Sequence, residues 1–500
     1  MGRVAPQPPK TGGEVLLRRN YLSAIENVAQ SIGTMGPVAT IGTILPLLIY
    51  KSGNGTWLLF LGVLAAFWLI AASINVFASR FASAGSLSAF AQHGFGGGLG
   101  GGLGNGGSGN AGLGDWAGRL TGWSYVVALI FVATSSGVSS AYYFAIVLTH
   151  FSGWAVGAAG FITLTILVAL MAWWPAHHDV KLSTNVMLGA ESFSLLLILV
   201  ILFSAMMRSH HWVDRAQLHL EGTGFSHYQL AFVLAFMTLA GFESATALGE
   251  EAKTATHTLP RVMILCVLPI GLLFAASIYC MTTLSHSLNL ALDQTDGPLD
   301  MIARSVGLPT LGWLSSLGVA ISCFGCSLGG FNAGSRVVYS MARNGQLWRW
   351  FDAIHPVNGT PHRALTLFAG ISIVVPSVTI AVGVSMANAM DYLMQIAALG
   401  FLGGYLVVCV AAPVYLASKG ELRFPRLAAA ILTLSILVAV LVMSLVPIPE
   451  GPSRYLPYIF AALLIFGMLL SGRNWGRGPK GIPAVDTAAN SAAQLSDAQP

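Results

Sequence analysis

Two carboxylates stand in stretches where charge is expensive: Glu191 within NVMLGAESFSLLLILVIL and Glu243 within FMTLAGFES. A charge at the centre of a membrane span costs on the order of 3 kcal/mol on insertion scales, so such a group invites a functional reading. Glu191 is a candidate for proton coupling, because a buried carboxyl group can load and release a proton near neutral pH. Its bland counterpart is a neutral, hydrogen-bonded packing group. Glu243 lies two residues after Gly241, and its expected work is to cap or hold interrupted backbone, with direct ligand contact the lesser role.

Other constellations are less specific. Cys323 and Cys326 form a C-x-x-C in an apolar run without a second Cys or His pair, and read as small packing residues rather than metal or redox chemistry. His177, His178 and Asp179 fall at a span end and read as a solvated turn, not a zinc or catalytic site. Arg336, Arg343, Arg349 and Arg363, with Asp352, His355 and His362 between them, resemble a phosphate site on paper. A loop that fixes orientation and pairs with Glu250 and Glu251 in an inner gate accounts for them better. The run GFGGGLGGGLGNGGSGNAGLG, 94–114, has neither the preceding strand nor the spaced Lys of a phosphate loop, and is expected to be a flexible cytoplasmic insertion.

The elements that must position these groups are membrane helices. Of 500 residues, 55% are hydrophobic and only 9% charged, which excludes an ordinary soluble domain. Apolar stretches fall near 24–49, 57–79, 118–148, 154–174, 182–206, 228–250, 261–284, 311–341, 364–384, 389–416, 425–446 and 455–471. They are continuously apolar rather than alternating, so the fold class is all-α integral membrane with about twelve transmembrane helices, and not a barrel. Placing the N-terminus inside puts 19 of the 24 basic residues on the cytoplasmic side, as the positive-inside rule requires. The expected organisation is a cytoplasmic tail 1–20, a membrane domain 21–472 and a cytoplasmic tail 473–500, in the inner or plasma membrane. The net charge of +5 then reports topology, and no nucleic-acid partner is implied.

Two spans carry breaks. The first holds Ser31-Ile32-Gly33-Thr34-Met35-Gly36-Pro37, where two glycines and a proline interrupt the helix and Pro37 suits the first position of a second half-helix. The sixth holds Phe236-Met237-Thr238-Leu239-Ala240-Gly241-Phe242-Glu243-Ser244. Glycine and proline are also common in membrane helices as plain kinks and packing points. A separation of five spans, however, is what an inverted five-plus-five repeat produces. Unpaired backbone survives in lipid only beside protein or a cavity; its N–H groups attract a carboxylate and its C=O groups an ammonium or cation. Ser135, Ser139, Ser322 and Ser327 either line the same cavity or serve helix packing.

SRVVYSMARNGQLWRWFDAIHPVNGTPHRAL (335–365) and AGFESATALGEEAKTATHTLPR (240–261) resemble the eighth span and its following loop, and the sixth span and its following loop, of amino acid–polyamine–organocation permeases. The resemblance extends over about 21–472. It implies the five-plus-five inverted-repeat fold with helices one and six broken, alternating access, and an amino acid or related amine held by backbone at both breaks. Carried over position by position, it points to Ile32, Gly33, Thr34, Met35 and Gly36, and to Phe236, Leu239, Ala240, Gly241 and Phe242, with Phe236 or Phe242 as an aromatic gate. The sequence departs from the family in reading Gly33-Thr34-Met35-Gly36-Pro37 where many members have Gly-Ser/Thr-Gly-Ile. It also has Ser194 where proton-coupled members of one branch carry a lysine, with Glu191 nearby instead.

The function this implies is secondary transport of an amino acid, by H+ coupling or exchange, with no cofactor, no metal and no enzymatic activity. A neutral substrate fits Thr34, Met35, Phe236, Leu239 and Phe242, whereas Glu243 keeps a cationic amine or polyamine open. A channel lacks a filter sequence here, and a membrane enzyme lacks paired acid and base groups. An amino-acid sensor that binds without transporting shares the same residues.

Overall fold

The computed structural model of the chain describes residues 10–11, 14–96, 110–220, 225–292, 295, 297–446 and 451–471. Apart from a two-residue pairing of Lys10–Thr11 with Glu14–Val15, its regular elements are helices. The chain opens with α1 (Ala24–Met35), α2 (Pro37–Thr43), α3 (Leu45–Ser52) and α4 (Thr56–Ala78). Then come α5 (Leu87–Gly96), α6 (Asn110–Ser152), α7 (Ala158–His178), α8 (Val180–Ser209), α9 (Arg215–Leu218) and α10 (Phe225–Met237). The remainder is α11 (Ala255–Leu288), α12 (Pro298–Ser305), α13 (Pro309–Arg343), α14 (His362–Ala381), α15 (Met386–Ser418), α16 (Phe424–Leu445) and α17 (Leu456–Ser471).

Among the described residues, ten helical stretches are long and apolar enough to cross a membrane. The expected first and sixth spans are absent from that set for one physical reason: both are interrupted, so neither presents an unbroken apolar helix of sufficient length. Local signals set the boundaries. The Ser23 N–H donates to the Glu26 carboxylate in a capping box at 2.8 Å, and Asp179 caps α8 through the Lys181 N–H at 2.7 Å. Proline opens α2, α12 and α13, where its missing N–H costs nothing.

The centre of the bundle is α6 packed on α13 and α15, with α1 and α8 against α13. Small residues permit this approach: a Cβ on Gly400 of α15 would lie 2.7 Å from backbone atoms of α6. Helices α16 and α17 lie at the periphery and turn Phe424, Tyr458, Ile465 and Leu469 outward, as lipid-facing helices do.

Two expectations need correction. The described ends of the glycine-rich run are helical: 94–96 close α5 and 110–114 open α6, with Gly94 packed on Ala411 and Phe77. The rest of the expected insertion, 97–109, lies outside the described residues, as does the expected tail 473–500. The N-terminal segment is also more than a tail. Leu16 and Leu17 are buried, and Arg18 bonds Asp179 at 2.6 Å and the Val357 carbonyl at 2.9 Å. Leu22 forms a backbone bridge with Ala252.

Candidate functional site

The first break is a single residue wide. Gly36 adopts φ 54°, a left-handed conformation that only glycine takes at little cost, and its N–H closes α1 on the Ile32 and Gly33 carbonyls. Pro37 then starts α2 at once. The first amides of α2 do not point into empty space. Ala39 N–H donates to Ser322 Oγ at 3.0 Å, Ser322 donates to Glu191 Oε1 at 2.7 Å, and the Val38 amide interacts with the same carboxylate. Glu191, 4% exposed, is thereby placed against the N-terminal end of a half-helix. Ser194, one turn along α8, is buried beside Gly318 instead, and Ser327 faces Gly137; neither meets the break.

The second break is longer. Helix α10 ends at Met237, residues 238–243 are unwound, and a 3-10 turn covers Ser244–Leu248. Gly241 takes φ 95°, and a Cβ there would fall 2.9 Å from Thr34 Cγ2, so glycine is required both by conformation and by the approach of α1. Tyr405 of α15 holds this segment: its hydroxyl accepts the Gly241 N–H at 3.2 Å and donates to Glu243 Oε2 at 2.7 Å. Glu243 is fully buried, with Tyr125 beside it. It is not among the residues that line the cavity described below.

The two breaks are tied to each other. Ser31 Oγ donates to the Phe242 carbonyl at 2.7 Å, and Ser244 Oγ donates to Thr34 Oγ1 at 2.9 Å. Thr34 is the crossing point; its hydroxyl also donates to the Gln30 carbonyl, while its own carbonyl accepts the Cys326 thiol at 3.0 Å. Gln30 Nε2 reaches the Gly329 carbonyl at 2.9 Å, and Asn332 Nδ2 reaches Gln30 Oε1 at 3.2 Å. A polar seam thus runs from α1 through the second break to α13. Every buried donor so engaged avoids the penalty of about 1–3 kcal/mol for an unpaired one.

Beside that seam lies a cavity of about 30 Å³, lined by Thr34 and Met35 from the first break, Thr238 and Ala240 from the second, Cys326 of α13 and Phe401 of α15 among others. Its size suits one or two waters rather than a ligand of many atoms. Among the described residues, none of its lining side chains is charged.

Of the ten residues carried over from the resemblance, the structure brings Thr34, Met35 and Ala240 to the cavity. Gly36 and Gly241 shape the breaks, Gly33 packs on Met187, and Ile32 and Leu239 belong to the packed core. Phe236 and Phe242 are fully buried against Phe67, with ring centroids 4.7 and 5.7 Å away, and do not gate the cavity. The aromatic that lines it is Phe401, which no sequence signal distinguished. Ser135 donates to the Met390 carbonyl and Ser139 to the Ser135 carbonyl; both are packing contacts.

The expected inner gate reduces to one pair. Arg336 and Glu251 are bonded and fully buried, with Arg336 Nη1 also donating to the Asn332 carbonyl at 2.9 Å. Glu250 instead accepts the Ala84 N–H, and Arg343, Arg349 and Arg363 lie farther out. Asp179 is a structural anchor rather than part of a solvated turn, because Arg18 and the Tyr21 hydroxyl both bond it. Burial, and then the contact with Asp179, push the Tyr21 phenol up to about 12.

Fold and site define a multi-pass membrane protein whose interior cavity is built from interrupted helices. The family model for amino acid permeases matches residues 109–477, and the chain belongs to that family. An uncharacterized transporter, Rv1999c, of Mycobacterium tuberculosis (strain ATCC 25618 / H37Rv) is 24% identical over 255 residues, 50% of this chain and 54% of its own. The chain thus spans about half the length of such mycobacterial relatives. The branched-chain amino acid permease BcaP of Bacillus subtilis (strain 168) is 22% identical over 329 residues, covering 63% of this chain and 67% of its own. Among solved structures, MhsT in complex with L-phenylalanine superposes with a TM-score of 0.55 at 14% identity, covering 85% of this chain and 99% of the other, and so shares the fold.

Proposed function

We propose that this protein carries a neutral amino acid across the cytoplasmic membrane by alternating access, with both termini cytoplasmic. The two interrupted helices add to the ten continuous ones to make twelve spans in a five-plus-five inverted repeat. The observation that carries the reading is the meeting of both breaks around one small cavity with no charged side chain among its described lining residues, in an amino acid permease. The interrupted backbone beside the cavity is the kind of structure that holds the carboxylate and ammonium of an amino acid, and the cavity's Met, Thr and Phe walls suit an apolar side chain. The permease BcaP, named for branched-chain amino acids, is consistent with that choice. Glu243, bonded to Tyr405 away from the cavity, gives a cationic side chain no partner there, which disfavours the polyamine alternative.

Glu191 is the proposed coupling group. Through Ser322 it is joined to the start of α2, so a change in its proton state alters how firmly that half-helix is held. Transport is tested by uptake of a panel of amino acids and polyamines into proteoliposomes, with and without a pH gradient. Uptake of a neutral amino acid driven by inward proton flow, with the gradient dependence lost in Glu191→Gln, is the expected outcome. Uptake only when substrate is preloaded inside means exchange without proton coupling. Binding without flux makes the protein a sensor, and no response to any amine contradicts the reading altogether.

A further inference from the structure

The face that carries the N-terminal segment has a second cavity, far larger than the one between the breaks and unconnected with it in lining residues. It measures about 310 Å³, at the lower end of the range for small-molecule sites, and its walls include Val15, Leu16, Arg343, Arg349, Asp352 and Ile354. One side is the N-terminal segment, the other the end of α13 and the turn that follows it. Two guanidinium groups and one carboxylate, all from the α13 side, line the cleft. Arg343 donates to the Tyr339 hydroxyl at 2.5 Å, and Arg349, about half exposed, pairs with Asp352 at 3.9 Å. Among the described residues that line the cleft, two guanidinium groups against one carboxylate leave a net positive charge of the kind that binds phosphate.

The surroundings say where such a phosphate comes from. Trp348 and Trp350 flank Arg349, stack on each other with centroids 5.9 Å apart, and are 54% and 41% exposed. Arg363 lies 4.9 Å over the Trp350 ring. Exposed indoles beside arginines at the end of a membrane helix belong at the headgroup level, where the ring sits among glycerol and acyl carbons and the cation reaches phosphate. Leu347, buried, anchors the turn, and Val15, Leu16 and Ile354 offer apolar walls to the carbons next to a phosphodiester.

We propose that this cleft binds the phosphate of an anionic lipid headgroup, bridged by Arg343 and Arg349, and so ties the N-terminal segment to the turn after α13. Asp352 opposes the charge of the ligand and limits its affinity. The same segment continues to Arg18 and Leu22, which bond Asp179, Val357 and Ala252, so lipid in the cleft braces the face on which the buried Arg336–Glu251 pair closes. This inference does not rest on the identity of the transported substrate.

The test is thermal unfolding of the full chain in nonionic detergent, titrated with dioctanoyl phosphatidylglycerol, dioctanoyl phosphatidylcholine or inorganic phosphate. Phosphatidylglycerol is expected to raise Tm saturably, and phosphatidylcholine to leave it unchanged. Arg349→Gln raises the half-saturating concentration about fivefold, the worth of one basic residue near an anionic surface. Asp352→Asn lowers it, a gain that a folding defect cannot imitate. If inorganic phosphate alone reproduces the saturable shift with the same response to both variants, the phosphate site stands and its lipid source falls. Equal shifts with both lipids, or a phosphatidylglycerol response that neither variant changes, overturn the proposal.

Discussion

The two breaks solve one problem in opposite ways. The first is abrupt: one left-handed glycine and one proline, with the exposed amides of α2 met by Ser322 and Glu191. The second is extended: six unwound residues and a 3-10 turn, held from outside by Tyr405, which bonds Gly241 and Glu243 within it. An abrupt break places a carboxyl group at a half-helix end, and that is where coupling is proposed. An extended break has more backbone to satisfy and so depends on a distant side chain; its proposed part is to shape the cavity.

Substitutions at the second break sharpen that contrast most. Gly241→Val forces a branched side chain into a φ of 95° and against Thr34, so a loss of about 3 kcal/mol or more in stability is expected together with loss of uptake, measurable by thermal unfolding and flux. Tyr405→Phe removes the acceptor of the Gly241 N–H and the donor to Glu243, at a cost of about 1–3 kcal/mol; an unchanged Tm would show that the extended break supports itself. Gly36→Ala meets the left-handed penalty of about 1–2 kcal/mol and crowds Cys326 Cβ at 3.2 Å, and its Tm should fall by less than that of the Gly241 variant. The smallest effect belongs to Ser322→Ala. It frees an Ala39 amide that Glu191 lies near, so stability changes by about 1 kcal/mol. The pH dependence of uptake, however, should shift while that of Tyr405→Phe does not.

The sequence carried the first break almost completely, because Gly36 and Pro37 are local signals with a fixed backbone meaning. It carried the location of the second through Gly241, and the span limits through continuous apolar runs, so that α8, α13 and α15 lie where hydropathy placed them. Tyr405 and Phe401 were not legible, since nothing local distinguishes one aromatic in an apolar helix from another; only the packing of α15 on the breaks selects them. Phe236 and Phe242 show the converse, being in the right segment but turned toward Phe67. Cys326 was read as packing alone, whereas its thiol donates to the Thr34 carbonyl freed by the break and lines the cavity. The docking of the N-terminal segment was hidden for a similar reason. A stretch with Pro, Gly and charge reads as a tail until Arg18 finds Asp179, 161 residues away.

Cys326 also offers the most direct test of the central claim, that the cavity between the breaks is the substrate seat. In reconstituted protein retaining Cys326, with the other four cysteines replaced, the rate of thiol modification by a small maleimide is measured with and without the transported amino acid. A second protein retaining only half-buried Cys280 serves as control. Substrate is expected to slow modification of Cys326 several-fold at saturation and to leave Cys280 unchanged. Equal rates at Cys326 in the presence and absence of a substrate that is demonstrably transported would place the site elsewhere and contradict the account.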